Sequence, residues 1–210
     1  MTRTNDPAAI ARQLRRYAPL AKVVSDIGPP PVQRRAAPDT RYAYLVRSIV
    51  HQQLAGAAAA AIHGRLVAAC DGVVTPEVVT SLSVDTMASL GLSGAKRAAI
   101  GDLTIKVKSG EIALEKHARL SDDAVIAEMV QVRGIGVWTS QMYLMGPLGR
   151  TDVWPTGDLG VRQGWTMLHD LDPLISSQEI HDAANSLAPH RSAVAWYCWQ
   201  VVNRSRRKTN

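Results

Sequence analysis

The segment DTRYAYLVRSIVHQQL, residues 39–54, sets Tyr42, Leu45, Val46, Ile49 and Val50 at the spacing that gathers side chains on one face of an α-helix. The same period governs most of the chain. AAAAAIHGRLVAAC gives an alanine-rich helix that can pack closely, and TPEVVTSL and SVDTMASL give short helices. Thr75 and Ser83 stand at their N-cap positions, with Pro76 in a first helical position. GAKRAAIGDLTIKVKSG is closed by Gly110, and SDDAVIAEMVQV opens with Ser121 and two acids that suit the positive helix end. Ser176 and Glu179 have capping-box spacing, and PHRSAVAWYCWQVVNR supplies a last apolar helix. No segment alternates as a strand does, and none repeats. An all-α fold is the expectation.

Two stretches interrupt the helices. IGPPPVQRRAAPD, residues 27–39, contains three consecutive prolines, so an N-terminal helix is tied to the body by an extended segment. GPLGRTDVWPTG, rich in Gly and Pro, marks a second boundary just before Asp158.

With 210 residues, 46% hydrophobic and 20% charged, the chain can bury the core of one or two domains. Arg12, Arg15 and Arg16 break up the N-terminus, which lacks the apolar centre of a secretory leader. The run Ala57 to Ala61 is soon followed by His63 and Arg65, so no stretch reaches membrane-spanning length. A reducing, cytosolic setting is expected. Cys70 and Cys198 read as two buried thiols, a long-range disulfide being the alternative. Neither belongs to a spacing that holds zinc or an iron–sulfur cluster. A net charge of +6 suits a polyanionic partner such as nucleic acid, although a basic enzyme without one has the same balance. Much of the surplus lies in the tail NRSRRKTN (Arg204, Arg206, Arg207, Lys208), which also reads as a solvated end.

The most informative stretch is VRGIGVWTSQMYLM, a Gly-Ile-Gly turn between two helices. Two glycines open backbone conformations closed to other residues and let a large ligand approach the amides. The amides of Gly134, Gly136, Trp138 and Thr139 would then face outward at a helix N-terminus, an arrangement that binds phosphate. An ordinary helix–turn–helix corner has the same local sequence.

Asp158 follows Trp138 by twenty positions. In TGDLGVRQ, Thr156 or Gly157 reads as the helix cap and Asp158 as a first-turn acid, its ionised form favoured by the helix dipole. The spacing alone fits either a catalytic carboxylate or a capping aspartate.

VRGIGVWTS followed by the Gly/Pro-rich segment and this acid resembles the helix-hairpin-helix base-excision DNA glycosylase superfamily. The resemblance is nearest to the 3-methyladenine DNA glycosylase II (AlkA-type) family. IVHQQLAGAAAAAI, GLSGAKRAAIGDL and PHRSAVAWYCW are similar to further segments of that family, so the likeness runs from about Tyr42 to Val202. It implies a two-lobed, all-helical fold with a cleft between the lobes, lacking the N-terminal β-containing domain of larger members. One lobe, residues 39–150, would carry the hairpin; the other, residues 1–38 plus 151–210, would carry the acid.

The resemblance also implies roles. Asp158 would be catalytic, since cutting an N-glycosidic bond leaves an oxocarbenium-like sugar that a fixed carboxylate stabilises. Asp152 reads as structural, as does Arg191. Trp138 occupies the position where strand-nicking relatives carry a nucleophilic lysine, so the expected enzyme is monofunctional, with water as nucleophile and no lyase activity. Trp138 and Trp199 resemble pocket tryptophans, although either also suits a core; for Trp196 and Tyr197 the core is the simpler reading. Met142 and Leu159 stand where the family carries tyrosines, and the chain has no Phe, so the base pocket should be less aromatic. Gln53 matches the side chain that fills the gap left by a flipped base, the plainer reading being a polar helix end.

The carbonyls of Val130, Val132 and Ile135 match those that hold a monovalent cation, Na+ or K+, at the hairpin. The resemblance implies that catalysis requires no cofactor, and an iron–sulfur cluster is not expected. The implied substrate is double-stranded DNA containing alkylated purines such as 3-methyladenine or 7-methylguanine. The protein would act as a monomer without membrane attachment, at the nucleoid of a bacterial cytoplasm or in a eukaryotic nucleus. The alternatives are a non-catalytic helix-hairpin-helix DNA-binding protein, and a glycosylase for uracil, oxidised or etheno bases.

Overall fold

The structure, a computed structural model, describes residues 6–31 and 35–209, with side chains up to residue 207. It is helical without a strand among those residues. In chain order the α-helices are α1 (Pro7–Leu14), α2 (Ala18–Ile27), α3 (Pro38–His51), α4 (Gly56–Ala69), α5 (Pro76–Ser81), α6 (Val84–Ser89) and α7 (Gly94–Ser109). They continue with α8 (Asp122–Met129), α9 (Val137–Met145), α10 (Leu159–Leu168), α11 (Glu179–Ala183) and α12 (Arg191–Thr209). No helix among the described residues is long and apolar enough to cross a membrane.

The chain divides into two compact units, residues 1–33 with 149–210 and residues 34–148. In the second, Tyr42, Leu45, Val46, Ile49 and Val50 are at most 1% exposed, as the stripe on α3 requires. Against them pack α4, α7 and α9. Polar groups in this core are paired: the Tyr42 and Thr104 hydroxyls lie 2.7 Å apart, and the fully buried His117 bridges the Tyr143 hydroxyl and the Glu128 carboxylate. In the first unit α10 lies along α12, and α2 packs on α12 as well.

Local capping follows the sequence closely. Thr75, Ser83 and Ser121 each accept an amide hydrogen bond at their helix starts. Gly110 closes α7 in the left-handed conformation, and Ser176 and Glu179 exchange reciprocal bonds. Both cysteines are free and buried.

Three local features differ from expectation. The N-terminal helix is two helices, because Tyr17 is extended and Pro19 starts a new first turn. α3 stops at His51 rather than running through Leu54, since Gln52 is extended and Gln53 is left-handed at φ 55°. Asp158 is itself the N-cap of α10, as the capping alternative for this acid had it, and Thr156 and Gly157 do not take that role: its backbone is extended and its carboxylate accepts the Val161 amide. The extended linker falls partly on residues 32–34, which lie outside the described residues, as does the Lys208 side chain of the basic tail.

Candidate functional site

Asp158 sits at the end of a segment pinned to the start of α12. Arg191 donates from Nε and Nη2 to the two oxygens of Asp152, both at 2.8 Å, and its amide donates to Asp152 as well. The Ser192 hydroxyl accepts the Val153 amide, and the Trp154 indole donates to the Ile180 carbonyl at 2.8 Å. Burial pushes the Asp152 carboxyl up, but the bonds and charge of Arg191 outweigh it and hold the group below the ordinary carboxylate range. Asp152 is therefore committed to an ion pair that fixes the loop leading to Asp158.

Asp158 is 9% exposed. Its Oδ1 accepts two hydrogen bonds, from the Val161 amide at 2.8 Å and from the Trp199 indole at 3.0 Å. The second is possible because position 160 is glycine: a Cβ there would lie 2.9 Å from Trp199 Cδ1 and 3.2 Å from Asp158 Oδ1. One turn later, a Cβ at Gly164 would come closer than 3 Å to the Cys198 main chain. Gly160 and Gly164 thus let α10 and α12 approach closely enough to bring Trp199 onto Asp158. Beside the carboxylate a depression of about 320 Å³ is lined by Leu159, Gln163, Trp199, Asn203 and Arg206 among others. Within this unit the structure brings Asp158, Leu159 and Trp199 together.

The hairpin lies in the other unit. Gly134 has φ 78°, a conformation that favours glycine. Gly136 does not: at φ −102° it is extended, so only one of the two glycines uses the restricted region. A Cβ at Gly136 would meet nothing within 4 Å, and its contribution is open space in front of the turn. Gly136 caps α9 without any side-chain bond, which leaves the helix start open for an anion. Trp138 is 50% exposed at this start, Thr139 is buried, and Met142 is half-buried one turn further on. Among the proposed cation ligands, Val132 and Ile135 are buried and Val130 is exposed. The Val132 carbonyl accepts the Ile135 amide at 3.0 Å.

The floor of the hairpin is α7, which sequence reasoning did not single out. Asp102 accepts the Arg133 amide at 2.7 Å, a bond that with Lys106 holds its carboxyl below the ordinary range. Lys106 pairs with Asp102 at 3.2 Å and donates to the Gln131 carbonyl. The one visible signal was the i, i+4 acid–base pair in GDLTIK. Gly160 and Gly164 had none, because a glycine needed for close approach looks like any other. Gln53 is exposed and stands beside Gln52, whose side chain donates to the Gly134 carbonyl at 2.8 Å. His51 and His63 meet ring to ring at 6.0 Å, and desolvation followed by the charge of Arg47 lowers both.

A tight turn leading into a glycine-capped helix start in one unit, and in the other a buried acid twenty residues after its tryptophan, match a known family. Residues 46–190 match the HhH-GPD superfamily base excision DNA repair protein family. The chain belongs to the HhH-GPD superfamily. It is 32% identical over 185 residues to DNA-3-methyladenine glycosylase 1 of Schizosaccharomyces pombe, covering 87% of this chain and 80% of that protein. The S. pombe 3-methyladenine DNA glycosylase Mag1, solved in complex with abasic DNA, superposes with a TM-score of 0.81 at 30% identity, over 91% of this chain and 95% of that one. A DNA-3-methyladenine glycosidase from Bacillus halodurans gives a TM-score of 0.83 at 26% identity, over 98% and 93%. The all-α HhH-GPD fold is thereby established.

Proposed function

We propose that this protein is a monofunctional DNA glycosylase of the 3-methyladenine DNA glycosylase II type. It hydrolyses the N-glycosidic bond of alkylated purines such as 3-methyladenine and 7-methylguanine in double-stranded DNA, leaving an abasic site. The observation that carries this reading is the fixed carboxylate of Asp158, held on one oxygen by the Val161 amide and the Trp199 indole beside an open depression.

Bond cleavage sends the electron pair of the C1′–N bond to the base, so a cationic alkylated base leaves neutral and needs no general acid. The sugar is left oxocarbenium-like. A carboxylate at roughly 4 Å, in an effective dielectric near 20, stabilises that charge by about 4 kcal/mol, on the order of a thousandfold in rate. Water then adds at C1′ and gives up its proton to solvent, which leaves the neutral abasic sugar. Trp138, Met142, Trp199 and Leu159 are the side chains proposed to meet the base, the tryptophans by stacking and cation–π attraction. The hairpin at Gly134, Gly136, Trp138 and Thr139 is the proposed phosphate anchor, and Gln53 the proposed wedge.

The carbonyls of Val130, Val132 and Ile135 are the proposed ligands of a monovalent cation: all are neutral oxygens within residues 130–135, the Val132 carbonyl also accepting the Ile135 amide. A Na+ or K+ held there would supply positive charge beside the proposed phosphate anchor.

The test compares excision of 7-methylguanine, 3-methyladenine, uracil and 8-oxoguanine from the same duplex by wild type and Asp158→Asn. Cationic bases should be released far faster, and the variant should bind DNA normally but release almost none. Asn caps helices as well as Asp does, so thermal stability should be unchanged. Faster release of a neutral base would overturn the electrostatic selection. No excision of any lesion would leave a DNA-binding protein without catalysis.

A further inference from the structure

Gln53 is held at φ 55°. The other described non-glycine residues with positive φ are Asp71 and Asp170, a residue type that tolerates this region through short local hydrogen bonds. Glutamine has no such compensation, so its conformation persists only where the surroundings enforce it. Here they do so from two sides. Lys96, on α7, sends its ammonium to the carbonyls of Val50 and Gln52, the second at 2.9 Å, closing the open end of α3. Gln52 donates its side-chain amide to the Gly134 carbonyl of the hairpin at 2.8 Å. The hairpin rests on the same helix, since Asp102 accepts the Arg133 amide and Ala99 lies directly under Gly134. Lys96, Ala99, Asp102 and Lys106 are spaced three or four apart along one side of α7.

We propose that Lys96 and Gln52 are positioning residues that lock the Gln53 turn to the hairpin, so that phosphate gripping and gap filling are delivered by one preorganised body. This rests on the reading of Gln53 as the wedge. In that arrangement a duplex seated on the hairpin meets a side chain already aimed, and no ordering of the 52–54 turn is left for the moment of base flipping. Lys96 acts through backbone carbonyls and needs no contact with DNA. A lysine that instead bound phosphate would show itself in the salt dependence of affinity.

The experiment uses the full chain and a duplex with 2-aminopurine opposite a tetrahydrofuran abasic site, so that a wedge entering the gap changes the orphaned base's fluorescence. Gln53→Ala should abolish most of that change. Lys96→Met and Gln52→Ala should each reduce it several-fold, while the slope of log affinity against log salt stays at the wild-type value. Gln52→Ala removes no charge, and so tests the brace if Lys96→Met folds poorly. In the Gln53→Ala background neither substitution should have a further effect, because both act through residue 53. A salt slope reduced by about one in Lys96→Met would make Lys96 a phosphate contact and overturn the proposal. Full effects of both substitutions in the Gln53→Ala background would overturn it too. A wild-type signal from Gln53→Ala would instead remove the wedge reading itself, an outcome that involves neither brace residue.

Discussion

The indole of Trp199 donates to Oδ1 of Asp158 at 3.0 Å, joining residues 41 positions apart in sequence. A tryptophan expected to serve as a stacking wall therefore also holds the acid. Trp199→Phe separates the two contributions, since it keeps an aromatic face and removes the donor. A hydrogen bond to a charged group contributes about 1.5–3 kcal/mol, so base release should slow by roughly 10- to 100-fold. Single-turnover excision of 7-methylguanine measures it. A wild-type rate would show that the indole N–H does not support Asp158 in catalysis.

Gly160→Ala and Gly164→Ala should fail differently. At 160 the new methyl meets the Trp199 indole and the Asp158 oxygen, so activity should fall while the fold melts near its normal temperature. At 164 it meets the Cys198 main chain, which cannot rotate away. Overpacking there should cost about 1–3 kcal/mol, more than the roughly 1 kcal/mol that alanine gains over glycine in a helix. Calorimetry and excision assays on both variants distinguish the two. Equal loss of stability would show that Gly160 is only a packing glycine.

Trp138 at the hairpin predicts that borohydride traps no covalent enzyme–DNA adduct during turnover. Strands should break only after alkali or heat. Lys96, whose ammonium reaches the Gln52 carbonyl, is engaged by two carbonyls and is poorly placed to substitute. A trapped adduct would mean that some amine attacks the sugar, and the monofunctional reading would be lost.

The Asp152–Arg191 pair predicts a pH dependence of stability. Asp152 is held below its ordinary range when folded, so its contribution is complete above the unfolded carboxylate value near 4 and is lost as pH falls through the lower folded value. Asp152→Asn should accordingly melt below wild type at neutral pH, and the gap should close in acid. A gap independent of pH between 7 and 3 would show that the carboxylate charge contributes nothing to the loop.

Most of the helices, several of their caps and the buried stripe of α3 were legible in the sequence because each depends on residues within about four positions of one another. Thr75, Ser83, Ser121, Gly110 and the Ser176–Glu179 box all follow from that local chemistry. Family membership was legible too, since the Gly-Ile-Gly turn and the acid at fixed spacing survive as a linear pattern. Residue-level geometry was not. Whether Asp158 was a first-turn acid or the cap itself turned on a single backbone angle. The Trp199–Asp158 bond, the Gly160–Gly164 approach of α10 to α12 and the Lys96–Gln52 brace join groups 34 or more positions apart. Such contacts leave no periodic trace, because they are fixed by how whole helices pack, and only the folded chain chooses among the partners that composition allows.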